Sequence, residues 1–249
     1  MSGHSKWSTI KHKKAATDAR RGKMFSKILK EITVAARIGG GDAKGNPRLR
    51  AALLEARSNS VPGDNIDRAI KKGTGELESE VYEEVVYEGY GPGGVAMLVE
   101  AATDNRNRTA GEIRHTFARN GGNLGEAGCV AWMFHRRGYF AIDESVMDEE
   151  KFMDLALELG ADDVAIEEDV YEIYTSMEDF ISVQEELERR GVPTAAKELA
   201  MIPQTYVDVP RDKVNPMLRL IEALEDHDDV QKVWANLNID EKVLEAQSR

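Results

Sequence analysis

Residues 84–101 read EVVYEGYGPGGVAMLVEA, and this stretch decides what kind of fold the chain can have. Two runs rich in β-branched and apolar residues, 84–88 and 95–101, flank a glycine-rich turn, which predicts two consecutive strands. Three glycines of the turn also match the spacing of a dinucleotide-binding loop. That loop must lead into a helix, whereas here a second strand follows. The stretch therefore predicts a strand–turn–strand unit and not a nucleotide site.

Upstream of these strands, the pattern predicts three short helices. The first begins at Asp18, repeats apolar residues every three or four positions, and ends at the glycines 39–41. The second begins after Asn46, a favoured N-cap residue. The third begins at Asp64 and stops at Gly73. Together these helices predict a small helical domain.

Downstream, helices and strands alternate. Thr109 and Glu112 have the spacing of a capping box and predict a helix that begins at Thr109 and runs through Arg119. We predict strands at 130–134 and 139–142, with a turn at 136–138 between them. Further helices are predicted at about 148–159, 178–190 and 215–225, and further strands at 170–175, 199–207 and 230–239.

A weak internal sequence repeat indicates how these elements are grouped into domains. Segment 157–164 resembles segment 224–230, because each joins a helix end, an acidic turn and an entering strand. Two copies of a helix-on-antiparallel-sheet unit would explain the echo. Residues 80–135 alone supply too few helices for a ferredoxin-like unit, so one copy is expected to be inserted in the other.

The predicted fold class is therefore α+β, with an N-terminal three-helix domain and two ferredoxin-like α/β domains. The predicted boundaries are residues 1–79 for a basic arm and the helical domain, 80–135 with 205–240 for a discontinuous α/β domain, and 136–204 for the inserted one.

Charge is strongly segregated along the chain. Residues 1–75 hold 17 basic and 6 acidic residues, a net of +11, on a chain of net charge −12. Residues 76–249 hold the other 16 basic and 39 acidic residues, a net of −23. The Debye length at physiological salt is only about 8 Å, so a polyanion near the N-terminal region responds to the local charge. This segregation predicts nucleic-acid binding by one end of the molecule.

The candidate contacts combine flexible cations with one aromatic side chain, since cations neutralise phosphates and an aromatic ring can stack on a base. The simpler alternative is a solvated basic surface, with Trp7 packed on the helical domain. The candidate nucleic-acid-binding residues are Lys6, Trp7, Lys11, Lys13, Lys14, Arg20, Arg21, Lys23, Lys27, Arg48, Arg50, Lys71 and Lys72.

A second candidate site lies just ahead of the helix predicted at Thr109. Arg106 and Arg108 could bind a phosphate or carboxylate there, together with free backbone amides. The alternative is a capped loop whose arginines pair with nearby acids, and the sequence leaves both open.

Composition excludes several classes of protein. One cysteine, Cys129, excludes a disulfide framework and fits a reducing compartment. No metal-ligand spacing, nucleophile motif or apolar run of about 20 residues is present. We therefore expect a cytoplasmic, non-enzymatic protein without a metal, a cofactor or a membrane partner. The sequence does not determine the oligomeric state and is compatible with a monomer.

Several motifs together resemble one family. This chain differs from the pattern of that family at few positions: Cys129 stands where a serine is expected, and Val61 and Gly63 lie in a variable linker. The motifs are GHSKW at 3–7, DARRGK at 18–23, NPRLR at 46–50, YEGYGPGGVA at 87–96, TDNRNRT at 103–109 and GGNLG at 121–125, and they are similar to those of the YebC family.

The resemblance implies a helical N-terminal domain and two ferredoxin-like domains around a cleft. It also implies a cytoplasmic, DNA-binding regulator of transcription. Mitochondrial relatives act as translational activators and some bacterial members resemble ribosome-associated elongation helpers, so DNA and ribosomal RNA both stay open as targets. Two further alternatives are a small-ligand enzyme that uses the interdomain cleft and a protein-interaction module whose arm docks on an acidic partner.

Overall fold

A computed structural model describes residues 18–78, 80–167 and 169–239. The predicted contacts Lys6, Trp7, Lys11, Lys13 and Lys14 lie outside the described residues, as do the side chains of Arg20 and Arg21.

The N-terminal part of the described chain is a three-helix domain. Helices α1 (Asp18–Gly39), α2 (Pro47–Ser58) and α3 (Gly63–Thr74) pack around an apolar core. Asn46 caps α2 as predicted, because its side-chain oxygen accepts a bond from the Leu49 N–H at 3.1 Å. Its amide also donates to the carbonyl of Ala35 in α1 at 2.8 Å, so one side chain positions two helices.

The rest of the chain forms two α/β units. Their elements, in chain order, are β1 (Glu83–Gly91), β2 (Val95–Thr103), α4 (Arg106–Arg119), β3 (Asn123–Leu124), β4 (Phe134–Asp143), α5 (Glu149–Glu158), β5 (Asp163–Ile166), β6 (Val170–Thr175), α6 (Phe180–Arg189), β7 (Ala196–Pro203), β8 (Val207–Asp208), α7 (Arg211–Glu225), β9 (Val230–Ala235) and β10 (Leu237–Asn238).

Each unit contains a four-stranded antiparallel sheet. The first has the order β3-β1-β2-β9, and the second has the order β5-β6-β4-β7. The second is a complete ferredoxin-like βαββαβ unit, since β4, α5, β5, β6, α6 and β7 follow one another in the chain. The first is closed only when β9 returns beside β2. The predicted α+β class is confirmed, and we propose that the domain boundaries follow the ranges predicted from the sequence.

The two sheets pack face to face, with helices on their outer sides. Helices α4 and α7 cover the outer face of the first sheet, and α5 and α6 cover that of the second. Between the sheets, Leu98 and Trp234 of the first contact a cluster that contains Tyr139 and Tyr174 of the second. The α/β body is thus a four-layer helix–sheet–sheet–helix stack with three apolar cores.

Several predicted elements are wrong in detail. The strand predicted at 130–134 is a loop with a short 3-10 turn, Ala131–Met133, because the Val130 and Ala131 N–H groups bind Glu88 and not a neighbouring strand. The helix predicted at 215–225 begins earlier, at Arg211, directly after Pro210.

Strand β4 is continuous through Gly138, where a turn was predicted, because Gly138 pairs with Thr175 of β6 on one side and with Leu199 of β7 on the other. Phe180 and Thr175 lie against this glycine and leave no room for a side chain. Helix α4 begins at Arg106, not at Thr109, because Asn105 is its N-cap. Thr109 is fully buried and serves another purpose, described below.

A buried carboxylate organises the loop before β4. Glu88 of β1 accepts bonds from the N–H groups of Gly128 at 2.6 Å, Val130 at 2.8 Å and Ala131 at 2.8 Å. Burial acts to raise the pKa of Glu88, but the three bonds outweigh it and the pKa is lowered. The ionised form therefore holds residues 128–131 in place.

We expect Glu88→Gln to destabilise the protein by about 1–3 kcal/mol, because the amide NH₂ would face a backbone N–H and leave that donor unsatisfied. Chemical denaturation at neutral pH measures the loss. Glu126→Gln, at an exposed acid of the same loop, is the matched control and should cost almost nothing. Equal stabilities of the two variants would contradict the proposed role of Glu88.

Candidate nucleic-acid interface

Three lysines on one face of α1 contact the C-terminal end of α7. Lys23 Nζ donates to the carbonyl of Asp226 at 3.0 Å, and Lys27 Nζ donates to that of Glu225 at 2.5 Å. Lys30 lies one turn further along α1 and contacts the acidic turn that follows α7. The C-terminal end of a helix carries partial negative charge, so this position favours cations. The basic domain is therefore docked on the acidic body partly through Lys23 and Lys27, two of the predicted phosphate contacts.

The strongest part of this contact surrounds Asp229. Its carboxylate accepts bonds from Lys30 at 3.0 Å, Arg108 at 2.7 Å and Thr109 at 2.7 Å. Thr103 adds a bond at 3.2 Å. Burial acts to raise the pKa of Asp229, but the bonds from Arg108, Thr109 and Lys30 outweigh it and hold the pKa well below its usual range. We call Lys30, Thr103, Arg108, Thr109 and Asp229 the Asp229 cluster.

The Asp229 cluster includes Arg108, one of the two arginines of the predicted anion site. Arg108 also donates to Asp104 at 2.8 Å, so its guanidinium is shared between two carboxylates of the protein. Arg106 is exposed, and its backbone carbonyl accepts a bond from the Tyr87 hydroxyl at 3.4 Å. In this conformation the anion held at Arg108 is therefore Asp229, while Arg106 faces solvent.

Two predicted contacts of α2 are engaged within the fold. Arg48 binds Glu31 through two nitrogens, at 2.7 and 2.9 Å, and also pairs with Glu84 of β1. These two carboxylates raise the pKa of Arg48 further, and the residue ties α2 to α1 and to the first sheet. Arg50 donates to the carbonyls of Ala43 and Lys44 at 3.1 and 2.9 Å.

The remaining predicted contacts lie on exposed helix surface. Lys71 and Lys72 occupy the last turn of α3, and both side chains are exposed. They share the helical domain with Lys23, whose side chain is about half exposed even in its contact with Asp226. The exposure of these three lysines makes them accessible to a phosphate.

The sequence did not single out Lys30 or Asp229. Adjacent acidic residues such as Asp228 and Asp229 are usually solvated, but Asp229 is buried. A weak signal exists, because Asp229 directly precedes a strand whose first residue enters the core. Nothing local distinguishes it from Asp228, since its partners are up to 199 positions away in the sequence.

One cluster of side chains has ligand types suited to a metal. Atoms of Glu112, His227 and Asp229 lie within 4.8 Å of one another. His227 Nε2 is 2.8 Å from Glu112, and its Nδ1 accepts the Asp229 N–H at 3.1 Å. The Asp229 carboxylate already binds two cations, so a divalent ion would meet their repulsion. The cluster is better described as part of the docking contact.

No helix in the described ranges 18–78, 80–167 and 169–239 is both long and apolar enough to cross a membrane.

The fold and charge together define a class of protein: a basic helical domain docked on an acidic body of two α/β units. The sequence profile of the TACO1/YebC protein N-terminal domain matches residues 5–76, and that of the TACO1/YebC second and third domain matches residues 82–237. The chain belongs to the TACO1/YebC family.

Named relatives and one solved structure agree with this assignment. A probable transcriptional regulatory protein of Geobacter sulfurreducens is 59% identical over 98% of this chain and 99% of its own length. Another from Desulfotalea psychrophila is 56% identical over 98% of both chains. The crystal structure of a conserved hypothetical protein from Aquifex aeolicus is 48% identical with a TM-score of 0.83, covering 93% of this chain and 96% of that one.

Proposed function

We propose that this protein is a non-enzymatic, cytoplasmic regulator of gene expression that binds nucleic acid, with DNA as its target and transcription as the regulated step. The observation that carries the proposal is the segregation of +11 over residues 1–75 from −23 over the remainder. The names of the relatives, probable transcriptional regulatory proteins, point in the same direction.

The proposed contact surface is the basic arm with the exposed lysines of the helical domain. Lys6, Lys11, Lys13 and Lys14 supply the arm's charge, and Trp7 supplies an aromatic ring. Arg20, Arg21, Lys23, Lys71 and Lys72 would extend the surface. Lys27 would contribute mainly by docking the helical domain, since its ammonium already donates to the carbonyl of Glu225. Arg48 and Arg50 would contribute mainly by holding α2 in place, since their guanidinium groups already bind carboxylates or carbonyls.

Cys129 is a poor candidate for a catalytic nucleophile. This thiol is the chain's one cysteine. Burial, with the nearby charge of Glu88, raises its pKa, so little reactive thiolate forms at neutral pH.

A salt titration tests the proposal. If about eight phosphates are engaged, the logarithm of the affinity for duplex DNA should fall with the logarithm of salt concentration at a slope near −7. Purified protein freed of oligonucleotides should show this slope in fluorescence anisotropy. Failure to bind DNA, RNA or ribosomes even in dilute buffer would overturn the proposal.

The choice between DNA and the ribosome needs a cellular comparison. Crosslinking to DNA and co-sedimentation with ribosomes on sucrose gradients can be measured in the same cells. Enrichment on DNA is expected, whereas nuclease-sensitive recovery only with ribosomes would identify a translation factor. A complex that survives nuclease treatment would indicate a protein partner.

A further inference from the structure

Two exposed aromatic side chains lie at the end of the first sheet that is remote from the docked helical domain. Trp132 is 67% exposed in a short 3-10 turn, Ala131–Met133, just before β4. Tyr90 is 40% exposed near the end of β1. Large aromatic rings are usually buried because each removes much apolar surface from water, so this exposure calls for a physical account.

Both rings are oriented by one backbone oxygen. The Trp132 indole Nε1–H donates to the carbonyl of Cys129 at 3.2 Å, and the Tyr90 hydroxyl donates to the same carbonyl at 3.4 Å. The loop that carries this carbonyl is held by the buried carboxylate of Glu88. The polar ends of the rings are thus satisfied and little ordering remains for a ligand to impose.

The surrounding sequence is cationic, unlike the rest of the body. Residues 105–137 hold six basic and two acidic residues, a net of +4, within a body of net −23. Arg106 and Arg108 of this segment lie at the other end of α4, where Arg108 binds Asp229. Arg119 is exposed at the end of α4, four positions before Asn123, which pairs with Tyr90. Arg136, four positions after Trp132, is about half exposed although it pairs with Glu100. Arg119 is therefore the cation of this segment that is best placed to contact the phosphate of a nucleotide stacked on the aromatic pair.

The size of the patch favours a small planar group over a protein surface. The next large apolar side chain on β1 that is exposed is Val86, which is 50% exposed and lies four positions before Tyr90. Three side chains are far fewer than the 20–30 residues per partner, about 800 Å², of a standard protein interface. A nucleobase, by contrast, needs only one or two rings to stack on.

We propose that Trp132 and Tyr90 form a stacking platform for unpaired bases, so that the protein binds single-stranded nucleic acid at a second site besides the basic arm. The inference rests on the proposed function and adds to it. The arm contacts phosphates of any strand, whereas the platform requires bases that are not paired in a duplex.

Tryptophan fluorescence and binding test the platform directly. In a Trp7→Phe background, Trp132 is the exposed indole of the described chain and Trp234 is a buried reference. A short oligothymidylate should quench the emission, and a duplex of equal phosphate number should not. Trp132→Ala should lower the single-strand affinity about 5- to 100-fold and leave the duplex affinity within about twofold. Trp132→Phe should retain most of the affinity.

Two controls separate stacking from charge and from loss of exposed apolar surface. An abasic strand has the same phosphates but no bases to stack. Wild type should therefore bind the abasic strand more weakly than it binds oligothymidylate, whereas Trp132→Ala should bind the two strands with equal affinity. Leu157→Ala removes a side chain that is 84% exposed on α5 and should change neither affinity.

The outcomes distinguish the platform from the proposed function. If Trp132→Ala binds oligothymidylate as wild type does, while glutamine at the arm lysines weakens binding, the platform is refuted and the proposed function stands. If wild type binds no nucleic acid, both fail. If wild type sediments as a dimer and Trp132→Ala as a monomer, the patch is a contact between copies and the platform is overturned.

Discussion

Replacement of Lys6, Lys11, Lys13 and Lys14 together by glutamine is expected to lower the affinity for duplex DNA about a thousandfold at about 0.1 M salt. Each lost phosphate contact removes the release of about 0.9 counterion, so the salt slope should also become shallower by about 3.6. Fluorescence anisotropy across a salt series measures both quantities. The two readouts must change together, because they report the same released ions.

The matched control removes the same charge from the body. Lys151, Arg189, Arg211 and Lys213 are exposed there, and their joint replacement by glutamine changes the net charge equally. With screening over about 8 Å, charges outside the proposed contact surface should leave the slope unchanged. An equal loss of affinity in both variants would show that total charge, and not the basic arm, governs binding.

Asp229→Ala is expected to destabilise the protein by about 3–5 kcal/mol, because it leaves Lys30 and Arg108 facing each other without their shared anion. Lys30 is the costlier of the two, since its side chain is only 13% exposed and cannot regain water without movement of α1. Guanidinium denaturation at neutral pH measures the loss. The contact between the helical domain and the body should weaken with it, and hydrogen exchange in α1 should report that change.

Asp226→Ala provides the comparison at an exposed pair. Asp226 is 63% exposed and its ion pair with Lys23 is 3.7 Å long, so its loss should cost less than about 1 kcal/mol. If Asp229→Ala cost no more than Asp226→Ala, the Asp229 cluster would not be a main stabilising contact.

The acid response of the protein offers an independent check on the same cluster. The pKa of Asp229 is lower in the folded state than in the unfolded chain, so its stabilisation is present above the unfolded value of about 3.9. It is lost progressively as the pH falls below that value toward the folded pKa. Wild type should therefore lose stability more steeply than Asp229→Asn between about pH 4 and pH 2, and parallel curves would contradict the assignment.

Much of the fold could be predicted because its signals are local. The strand pair at 84–101, the N-cap at Asn46 and the helix spacing in α1 each depend on residues within a few positions of one another. The predicted start of α4 failed for an equally local reason, because Asn105 caps the helix before Thr109 can. Strand β4 continues through Gly138, against the prediction, because the residues that lie against this glycine, Thr175 and Phe180, are distant in sequence and leave no local signal.

The candidate nucleic-acid interface was also predictable only in part from the sequence. The net charges of residues 1–75 and 76–249 follow from the sequence, so the contrast between a basic N-terminal region and an acidic body could be predicted without the fold. Which charges bind phosphate and which bind the protein depends on partners remote in the chain. Arg48 was a candidate phosphate contact and Arg108 belonged to a possible anion site, and the fold gives each of them carboxylates of the protein itself.

Local patterning and composition thus specified the helices, the strand pairs, the α+β class and the basic end of the molecule. Tertiary structure alone decided that Asp229 is buried beside Lys30, that Arg48 ties three elements together, and that Trp132 and Tyr90 share the carbonyl of Cys129. The physical reason is the sequence separation of the interacting residues. Helix and strand periodicity arises between near neighbours, whereas burial and ion pairing arise only after segments that are far apart in sequence have packed together.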